Sequence, residues 1–558
     1  MLPLSRTDAP LGLHGKPDNA LVYVRYFARR YLVLGVTGFV LISLLLRILY
    51  VGRDVRPPSI SDGNTSPRWP GRRLPPLYGQ YHRYEHQLPQ HHWDAPSHES
   101  EPKFFFVSTH SRGSGWGNIF QEVLLNAYLA HKANRGFVFY NYTWNDDGSD
   151  YSDYNGKPIP SRIPLSALIR GPIVGAPWPA GDPAPLAISE EYWHHVCGAK
   201  RRVIPRAEVH EHLPSWYVSD ITKGWLDKLS TVSDQCVEVA GGDPPYNWLT
   251  FGEKDAMLDI WPDVARSPVL THFAWSPLVE LGFDNNREVF APTAVFEPPL
   301  SSVPLTTASA ERYSMLPGLL VLHIRRGDYE GHCAHLARWS SSYLAFNALP
   351  GLPDRFSPPP GGSWGENTPE NVQIYMEHCF PSVAQIVSRV EEVTRGEAAS
   401  GLEHVYVMTN GAVEWVEELK VALRAMGRWT NVASSRDLVL NWEQKYVAQA
   451  VDMLIGQRAQ VFIGNGVRLS LSSASSSIVV RRRLLLITTF LVLVLVLAVV
   501  ESDGQHRPDA SSERLAPRQH PVLVKIRSAV QTRYPCSHIS PMTDKTSRWA
   551  ETTLQHHG

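Results

Sequence analysis

The stretch that decides the fold is Val321-Leu322-His323-Ile324-Arg325-Arg326-Gly327-Asp328-Tyr329, an apolar run that ends in charged residues. A short apolar run of this kind is typical of a strand buried on both faces of a parallel sheet. Open α/β sheets bind ligands at the carboxyl ends of their strands, so His323, both arginines and Asp328 are expected at a ligand-binding edge. Since the planar guanidinium matches phosphate oxygens, Arg325 and Arg326 predict a site for a diphosphate. The structural alternative is an Arg–Asp pair that only stabilises the turn.

Two α/β blocks surround this motif. In the first block, strand Phe104–Val107, a Gly-rich loop, a helix and strand Gly136–Tyr140 form a βαβ unit. In the second block, strands at Leu319–Ile324, Val405–Met408 and Val461–Ile463 alternate with helices of apolar period. The predicted fold class is therefore α/β, with two Rossmann-like domains at residues 103–300 and 318–480 that face a cleft.

The Gly-rich loop has the sequence Ser111-Arg112-Gly113-Ser114-Gly115-Trp116-Gly117-Asn118. Its glycines would let backbone N–H groups approach an anion at the start of the following helix. The spacing matches neither a P-loop nor the dinucleotide fingerprint. The loop is thus either a ligand cradle or a tight strand-to-helix turn.

Two polar groups follow the later strands. Asp452 precedes the last predicted strand, and Asn465 follows it in Val461-Phe462-Ile463-Gly464-Asn465. Such groups can hold a base, a ribose or a sugar, but taken singly each is more often a satisfied turn residue than a ligand.

Taken in order, the segments GSGWGN, HIRRGDY and D-x-x-I…A-x-V-F-I-G-N resemble the GDP-fucose-dependent O-fucosyltransferase-like family over residues 103 to about 466. The resemblance implies a GT-B fold, transfer with inversion and no metal or other cofactor. It implies that Arg325 contacts the β-phosphate of GDP, the donor substrate. The further donor-binding residues that it implies are Gly115, Gly117, Asn118, His323, Arg326, Asp452 and Asn465.

The catalytic base would be a carboxylate that takes the proton of the acceptor hydroxyl. Asp328 is our candidate, because it follows the arginine pair closely. Glu330 and Glu122 are further candidates, since the first lies near the same motif and the second follows the Gly-rich loop.

The N-terminal region predicts a membrane anchor and a stem. Residues 31–51 are apolar enough to span a bilayer once, after a cytosolic tail at 1–30. Residues 52–102 are rich in Pro, Ser and His and predict a disordered stem, in which the histidines are solvated rather than metal ligands. The expected location is a single-pass type II protein of the Golgi or endoplasmic reticulum.

The whole chain has 558 residues with 53 Lys+Arg and 54 Asp+Glu, which argues against a nucleic-acid partner. Four cysteines lie in the expected lumenal part, and the simplest hypothesis pairs neighbours along the chain, Cys197 with Cys236 and Cys333 with Cys379. The sequons at Asn64 and Asn141 agree with a secretory location.

The C-terminal region departs from the family pattern. A second hydrophobic segment at 484–500 follows three arginines, and residues 501–558 predict a disordered tail. A cytosolic triple-Arg flank conflicts with a lumenal domain before it. We hypothesise that the chain beyond about residue 466 is not the usual ending of the family, as a misread gene junction would produce.

The sequence therefore predicts a membrane-anchored fucosyltransferase that transfers fucose from GDP-fucose to a hydroxyl of a protein or glycan acceptor. Two alternatives stay open. One is a transferase that uses another nucleotide sugar, and the other is a catalytically inactive, membrane-tethered sugar-binding protein.

Overall fold

The structure of the chain is a computed structural model. It describes residues 69–92, 101–247, 254–293, 297–300, 310–327, 329–341, 356–363 and 365–464. The chain divides into two compact units, residues 1–74 and 75–558. In the first unit the described residues form a short turn, where the Arg72 N–H donates to the Trp69 carbonyl at 3.3 Å. Both predicted sheets lie in the second unit.

The strands of the described residues are short, apart from the central strand of the second sheet. They are β1 (Phe104–Val107), β2 (Gly136–Phe139), β3 (Tyr142–Thr143), β4 (Tyr151–Tyr154), β5 (Lys157–Pro160), β6 (Arg162–Ile163), β7 (Ile169–Arg170), β8 (Ile188–Ser189), β9 (Arg202–Pro205), β10 (Cys236–Ala240), β11 (Ala274–Trp275), β12 (Leu316–His323), β13 (His404–Met408), β14 (Asn431–Ser434) and β15 (Ala459–Gly464).

Helices connect these strands and cover both sheets. They are α1 (Gly79–His86), α2 (Trp116–Lys132), α3 (Leu165–Leu168), α4 (Glu190–Val196), α5 (Arg206–His210), α6 (Val218–Ser230), α7 (Lys254–Leu258), α8 (Trp261–Arg266), α9 (Pro268–Thr271), α10 (Pro277–Asn285), α11 (Arg287–Phe290), α12 (Tyr329–Arg338), α13 (Pro369–Cys379), α14 (Val383–Val393), α15 (Val413–Arg424) and α16 (Ala448–Gln457).

The first sheet has the order β8-β2-β1-β10-β9, and all its pairs are parallel. Its central strand β1 is apolar throughout because both of its faces are covered. Phe105 meets Trp225 of α6, and its neighbour Phe106 meets Trp193 of α4, with ring centroids 6.2 and 5.6 Å apart. The predicted βαβ unit is confirmed.

The second sheet has the order β14-β13-β12-β15 and is also parallel. Alternate residues of β12 pack into different layers: Leu320 and Leu322 belong to the core that includes α14 and α15, whereas Leu319 and Val321 belong to the core that includes α10 and α16. Burial on both faces explains the continuous apolar run that predicted this strand. The α/β class with two parallel sheets is confirmed.

The first domain was predicted to end at residue 300, but the chain reaches the second block before that residue. Helices α10 and α11 already pack on the second sheet, where the Phe290 ring lies 5.8 Å from the Tyr406 ring. The Asn431 side chain donates to the Val289 carbonyl at 2.7 Å, and the Trp275 indole N–H donates to Gln457 at 2.9 Å. The chain therefore joins the second sheet before the proline-rich segment that suggested the border.

Two disulfides confirm the hypothesis that neighbouring cysteines pair. Cys197–Cys236 links the end of α4 to β10, and Cys333–Cys379 links α12 to the end of α13. The first bond therefore joins a helix to the first sheet, and the second joins two helices that share a small buried cluster.

The predicted membrane anchor at 31–51, the hydrophobic segment at 484–500 and the tail at 501–558 lie outside the described residues. Within the described ranges, none of the helices combines the length and the apolar character that a membrane crossing needs.

The predicted disordered stem at 52–102 is wrong for its central part, because residues 75–92 pack on both α/β blocks. The Tyr78 hydroxyl donates to the Glu443 carbonyl at 2.7 Å. The Gln90 side chain donates to the Gly175 and Ala187 carbonyls at 3.1 and 2.7 Å. Gly175 has φ +95°, and a Cβ there would lie 2.6 Å from Leu88, so this contact needs glycine. We call residues 78–90 the strap.

His91 follows the strap directly and is half-buried. Among the described residues, no cluster of three or more His, Cys, Asp or Glu side chains could hold a metal ion. His91 accepts the Ser189 N–H at 3.3 Å and stacks on Tyr192 at 4.1 Å. Burial lowers the pKa of His91 to about 4, so the ring is neutral at physiological pH.

We expect Gln90→Ala to lower the free energy of unfolding by about 2 kcal/mol, because it leaves two buried carbonyls without their donor. Urea denaturation of the full chain in detergent measures this change. Gln87→Ala is the matched control, since Gln87 is an exposed residue of the same strap and its loss should cost less than about 0.5 kcal/mol. Equal effects of the two substitutions would show that the strap does not stabilise the fold.

Candidate functional site

The motif that was predicted to bind a diphosphate begins on the last residues of β12. His323 is the last residue of the strand and pairs in register with Met408 of β13 and Gly464 of β15. Ile324 continues the pairing, since its N–H donates to the Met408 carbonyl at 2.9 Å. Arg325 and Arg326 therefore lie at the carboxyl edge of the sheet, as predicted.

His323 is a neutral residue inside the sheet. Its side chain is 4 % exposed, and its Nδ1 has no hydrogen-bond partner among the residues that the structure describes. Burial, and second the charge of Arg325, lower the pKa of His323 to about 3. The ring can therefore support Arg325 by packing or by a hydrogen bond, but it contributes no positive charge.

Arg325 is buried at the ligand edge, with 7 % of its surface exposed. Its guanidinium carbon lies 5.7 Å from the centre of the ring of Tyr329, the residue that begins α12. An arginine side chain stays charged in proteins, so burial leaves a strong positive charge at the strand end. This placement fits the role that the sequence predicts for Arg325.

Arg326, although adjacent, has a different environment. Its guanidinium lies between the Phe380 and Trp415 rings, 3.7 and 4.5 Å from their centres, and donates to the Pro381 carbonyl at 2.9 Å. Its backbone N–H donates to Asn410 at 2.8 Å. These contacts hold the turn after β12 against α13 and α15. The structure therefore shows Arg326 as a residue that supports the turn, and its predicted contact with the donor stays a prediction.

Asp452 lies on α16 and accepts hydrogen bonds from Tyr406 of β13 and from Ser435, which follows β14. The Tyr406 hydroxyl donates to Oδ1 at 2.6 Å, and the Ser435 hydroxyl donates to Oδ2 at 2.8 Å. Ser435 in turn accepts the Thr409 N–H at 3.2 Å. Burial raises the pKa of Asp452 to about 6. This network orders the carboxyl ends of β13 and β14 beside the arginine motif.

Sequence reasoning missed two members of this network, Tyr406 and Ser435. Ser435 follows β14, a strand that was not predicted because Asn431-Val432-Ala433-Ser434 is short and only half apolar. A signal existed in β13, where tyrosine at position 406 interrupts a run of aliphatic residues. A buried tyrosine normally needs a hydrogen-bond partner.

The Gly-rich loop lies at the carboxyl edge of the first sheet, between β1 and α2. Gly113 has φ +66° and its N–H donates to the Thr143 carbonyl at 3.1 Å, so this position is a tight turn. Gly115 caps α2, Gly117 is its second residue, and the Asn118 N–H donates to the Gly115 carbonyl at 3.0 Å. Gly115 and Gly117 are buried, whereas Asn118 is half-buried. The loop is thus a strand-to-helix turn that presents a helix N-terminus.

The candidate bases occupy different places. Glu330 is an exposed residue of α12. Glu122 is 2 % exposed, and its carboxylate accepts the Ser111 N–H at 3.1 Å on both oxygens, which argues against contact with an acceptor hydroxyl. Asp328 and Asn465 lie outside the described residues.

A cleft of about 230 Å³ opens beside the end of β12. Leu322, Ile324 and Ile463 form its apolar wall, and Arg389 of α14 lies at its rim, paired with Glu392 at 2.6 Å. Polar side chains also line the cleft, namely Glu377, His378, Gln385 and Ser388.

The structure brings His323, Arg325, Arg326 and Asp452 to one edge of the second sheet. It places Gly115, Gly117 and Asn118 at the corresponding edge of the first sheet. The predicted site residues therefore form two groups, one on each sheet.

No protein-family model matches the chain, and no curated protein sequence does. The chain is similar to a crystal structure of POFUT1 in complex with GDP at 14% identity and a TM-score of 0.38, covering 71% of this chain and 96% of that chain. For POFUT1 in complex with GDP-fucose the identity is 14% and the TM-score 0.38, with 67% and 93% covered. The POFUT1 apo-form has 15% identity, a TM-score of 0.38, and 70% and 95% covered.

We expect Arg326→Ala to lower the free energy of unfolding by about 2 kcal/mol, because it removes the guanidinium between two rings and its hydrogen bond to Pro381. Chemical denaturation measures the change. Arg395→Ala is the control, because Arg395 forms only an exposed pair with Glu391 and should contribute less than about 0.5 kcal/mol. If Arg326→Ala has the same free energy of unfolding as the wild type, the contacts of Arg326 with the Phe380 and Trp415 rings do not stabilise the turn.

His323 should make the stability of the fold depend on pH, because its pKa falls from 6.5 to about 3 in the folded protein. The unfolded chain binds a proton below pH 6.5 and the folded chain does not, so His323 lowers stability as the pH falls from 6.5 toward 3. Between pH 6.5 and 5 we expect the wild type to lose about 2 kcal/mol relative to His323→Gln. Unfolding free energies at a series of pH values test this, with exposed His195→Gln as a control that follows the wild type. If the unfolding free energies of the wild type and His323→Gln change equally with pH, the pKa of His323 is not lowered in the folded protein.

Proposed function

We propose that the protein is an inverting glycosyltransferase that transfers fucose from GDP-fucose to a hydroxyl of a protein or glycan acceptor. The observation that carries the proposal is the position of Arg325, a buried cation at the carboxyl end of the central strand of a parallel sheet. The motif resemblance supports it, because the same arginine matches the residue that contacts the β-phosphate of GDP in the family.

The proposed chemistry follows from where charge develops. As the sugar–phosphate bond breaks, negative charge accumulates on the departing diphosphate, and a fixed guanidinium stabilises that charge more than it stabilises the intact donor. Arg325 supplies this charge, so the proposed reaction needs no metal ion. Asp328, two residues past the arginine pair, is the carboxylate that we assign to the acceptor proton.

The other residues would prepare the donor site. His323 is buried and neutral, so it adds no charge beside Arg325. Arg326 holds the turn after β12 through its hydrogen bond to Pro381. Asp452, through Tyr406 and Ser435, orders the neighbouring strand ends. The start of α2 at Gly115, Gly117 and Asn118 would approach the donor from the other sheet, because a helix N-terminus favours anions.

We also propose that the domain lies in the lumen of the secretory pathway, anchored by residues 31–51. The two disulfides support this location, because disulfides form and persist in oxidising compartments.

The test is release of GDP from GDP-fucose by the full chain in detergent micelles. We expect release of the nucleoside diphosphate from GDP-fucose and not from a UDP-sugar. Faster release from another nucleotide sugar would show that this sugar is the donor. If none of the nucleotide sugars is cleaved, the protein is better explained as an inactive, sugar-binding protein.

In the same assay we expect Arg325→Ala to lower the rate of GDP release at least about 100-fold, because one preorganised donor to a developing charge contributes that much. Arg325→Lys should recover only part of the loss, since lysine cannot form the bidentate contact. Arg338→Ala, which changes an exposed arginine of α12, is the matched control and should retain full activity. An unchanged rate in Arg325→Ala would overturn the proposed role.

A further inference from the structure

The Gly-rich loop is closed by a contact between its beginning and the helix that follows it. Glu122 lies on α2, one turn after Asn118, and its carboxylate reaches back to Ser111. The Ser111 N–H lies 3.1 Å from each carboxylate oxygen, and the Ser111 hydroxyl donates to Oε2. All three donor-binding residues predicted for the first sheet, Gly115, Gly117 and Asn118, lie inside the ring that this contact closes.

Two further side chains donate hydrogen bonds to the carboxylate, Tyr140 beside the first sheet and Asn126 on α2. The Tyr140 hydroxyl, which follows β2, donates to Oε1 at 3.3 Å, and the Asn126 amide lies 3.5 Å from the same oxygen. No lysine, arginine or histidine of the described residues forms a salt bridge with Glu122. A buried carboxylate without a cation is costly, and it is tolerated only where neutral donors surround it.

Replacing this carboxylate with the amide of glutamine would lose part of its hydrogen bonding. Two oxygens are needed to accept the Ser111 N–H, the Ser111 hydroxyl and the Tyr140 hydroxyl together. The amide of glutamine offers one oxygen and turns an NH₂ group toward one of these donors. The contact with Ser111 would weaken, while the size of the side chain would stay the same.

We propose that Glu122 is a positioning residue for the donor: its carboxylate keeps the loop at Ser111–Asn118 in the shape that binds the sugar nucleotide. The inference rests on the proposed function and adds a residue to it. Glu122 contacts no substrate in this role, because it is buried beneath the loop. It acts through Ser111 and through the first turn of α2.

Protonation of Glu122 should loosen the loop in the same way as glutamine does. Burial raises the pKa of Glu122 to about 7, and its hydrogen bonds with Ser111 partly oppose this effect. The titratable and charged groups around it are Arg112, Tyr140, His110, which stacks on Tyr140 at 3.6 Å, and Glu190 near Tyr140. Burial lowers the pKa of His110 to about 3, so His110 stays neutral while Glu122 titrates.

The experiment measures KM for GDP-fucose in the GDP-release assay with the full chain, from pH 5.5 to 8.5. In the wild type we expect KM to rise as the pH falls through about 7, because Glu122 takes up a proton. In Glu122→Gln we expect KM at pH 8 to be at least about tenfold higher than in the wild type. Its KM should be nearly constant from pH 7 to 8.5, a range above the pKa of about 6 of Asp452. Ser111→Ala keeps the backbone contact and should give an intermediate KM that still depends on pH.

Glu85→Gln is the matched control. Glu85 is likewise a buried carboxylate that accepts a backbone N–H, from Ser166 at 2.9 Å, but it belongs to the strap. It should show the KM and the pH profile of the wild type. A purely structural role of Glu122 would lower the amount of folded enzyme, and thus kcat, without changing KM.

The outcomes separate the two proposals. If the wild type releases GDP but Glu122→Gln has the KM and pH profile of the wild type, the positioning role is overturned and the proposed function stands. If the wild type neither binds GDP in calorimetry nor releases it, the proposed function is overturned, and the role of Glu122 in that reaction falls with it.

Discussion

A buried ion cluster fixes where the two α/β blocks meet. Arg170 of β7 donates to both carboxylate oxygens of Glu280 on α10 at 2.8 Å, and each side chain is 1 % exposed. Arg312 lies 3.3 Å from the same carboxylate, and the Tyr313 hydroxyl donates to it. Removing one partner would strand a charge away from water, so the arrangement tolerates little displacement.

The position of the ligand edge depends on this cluster. Arg312 and Tyr313 lie shortly before β12, and the Leu316 N–H donates to the Arg458 carbonyl at 2.7 Å as the strand begins. Arg458 also bonds to the Ser314 carbonyl and to Glu297, each at 2.8 Å. The start of β12 is therefore held by charged contacts, and its apolar residues extend that placement to His323 and Arg325 at the other end.

Strands buried on both faces could be predicted from the sequence, because short continuous apolar runs such as Phe104–Val107 are typical of strands covered on both sides. The strap could not be predicted from composition, since its polar residues resemble those of a flexible stem. Its apolar residues did hold a signal, since Tyr78, Tyr81 and Leu88 stand out in a polar segment and are all buried. Its anchoring depends on partners such as Gly175, which are distant in the chain, and one sequence does not show such contacts.

The arginine motif shows why residue type alone could not assign the site. Arg325 and Arg326 are identical and adjacent, yet Arg326 is held by Phe380, Trp415 and Pro381, residues that join the motif only when α13 and α15 pack beside the sheet. The sequence therefore predicted the same role for two arginines that the fold places in different surroundings.

This division of roles has a consequence for the electrostatics of the proposed reaction. His323 is neutral, so it adds no charge beside Arg325. A guanidinium in such surroundings keeps a strong field, because a buried charge is screened by little water. Arg325 would therefore stabilise a leaving group more strongly as negative charge develops on it. The departure of a nucleoside diphosphate requires such stabilisation.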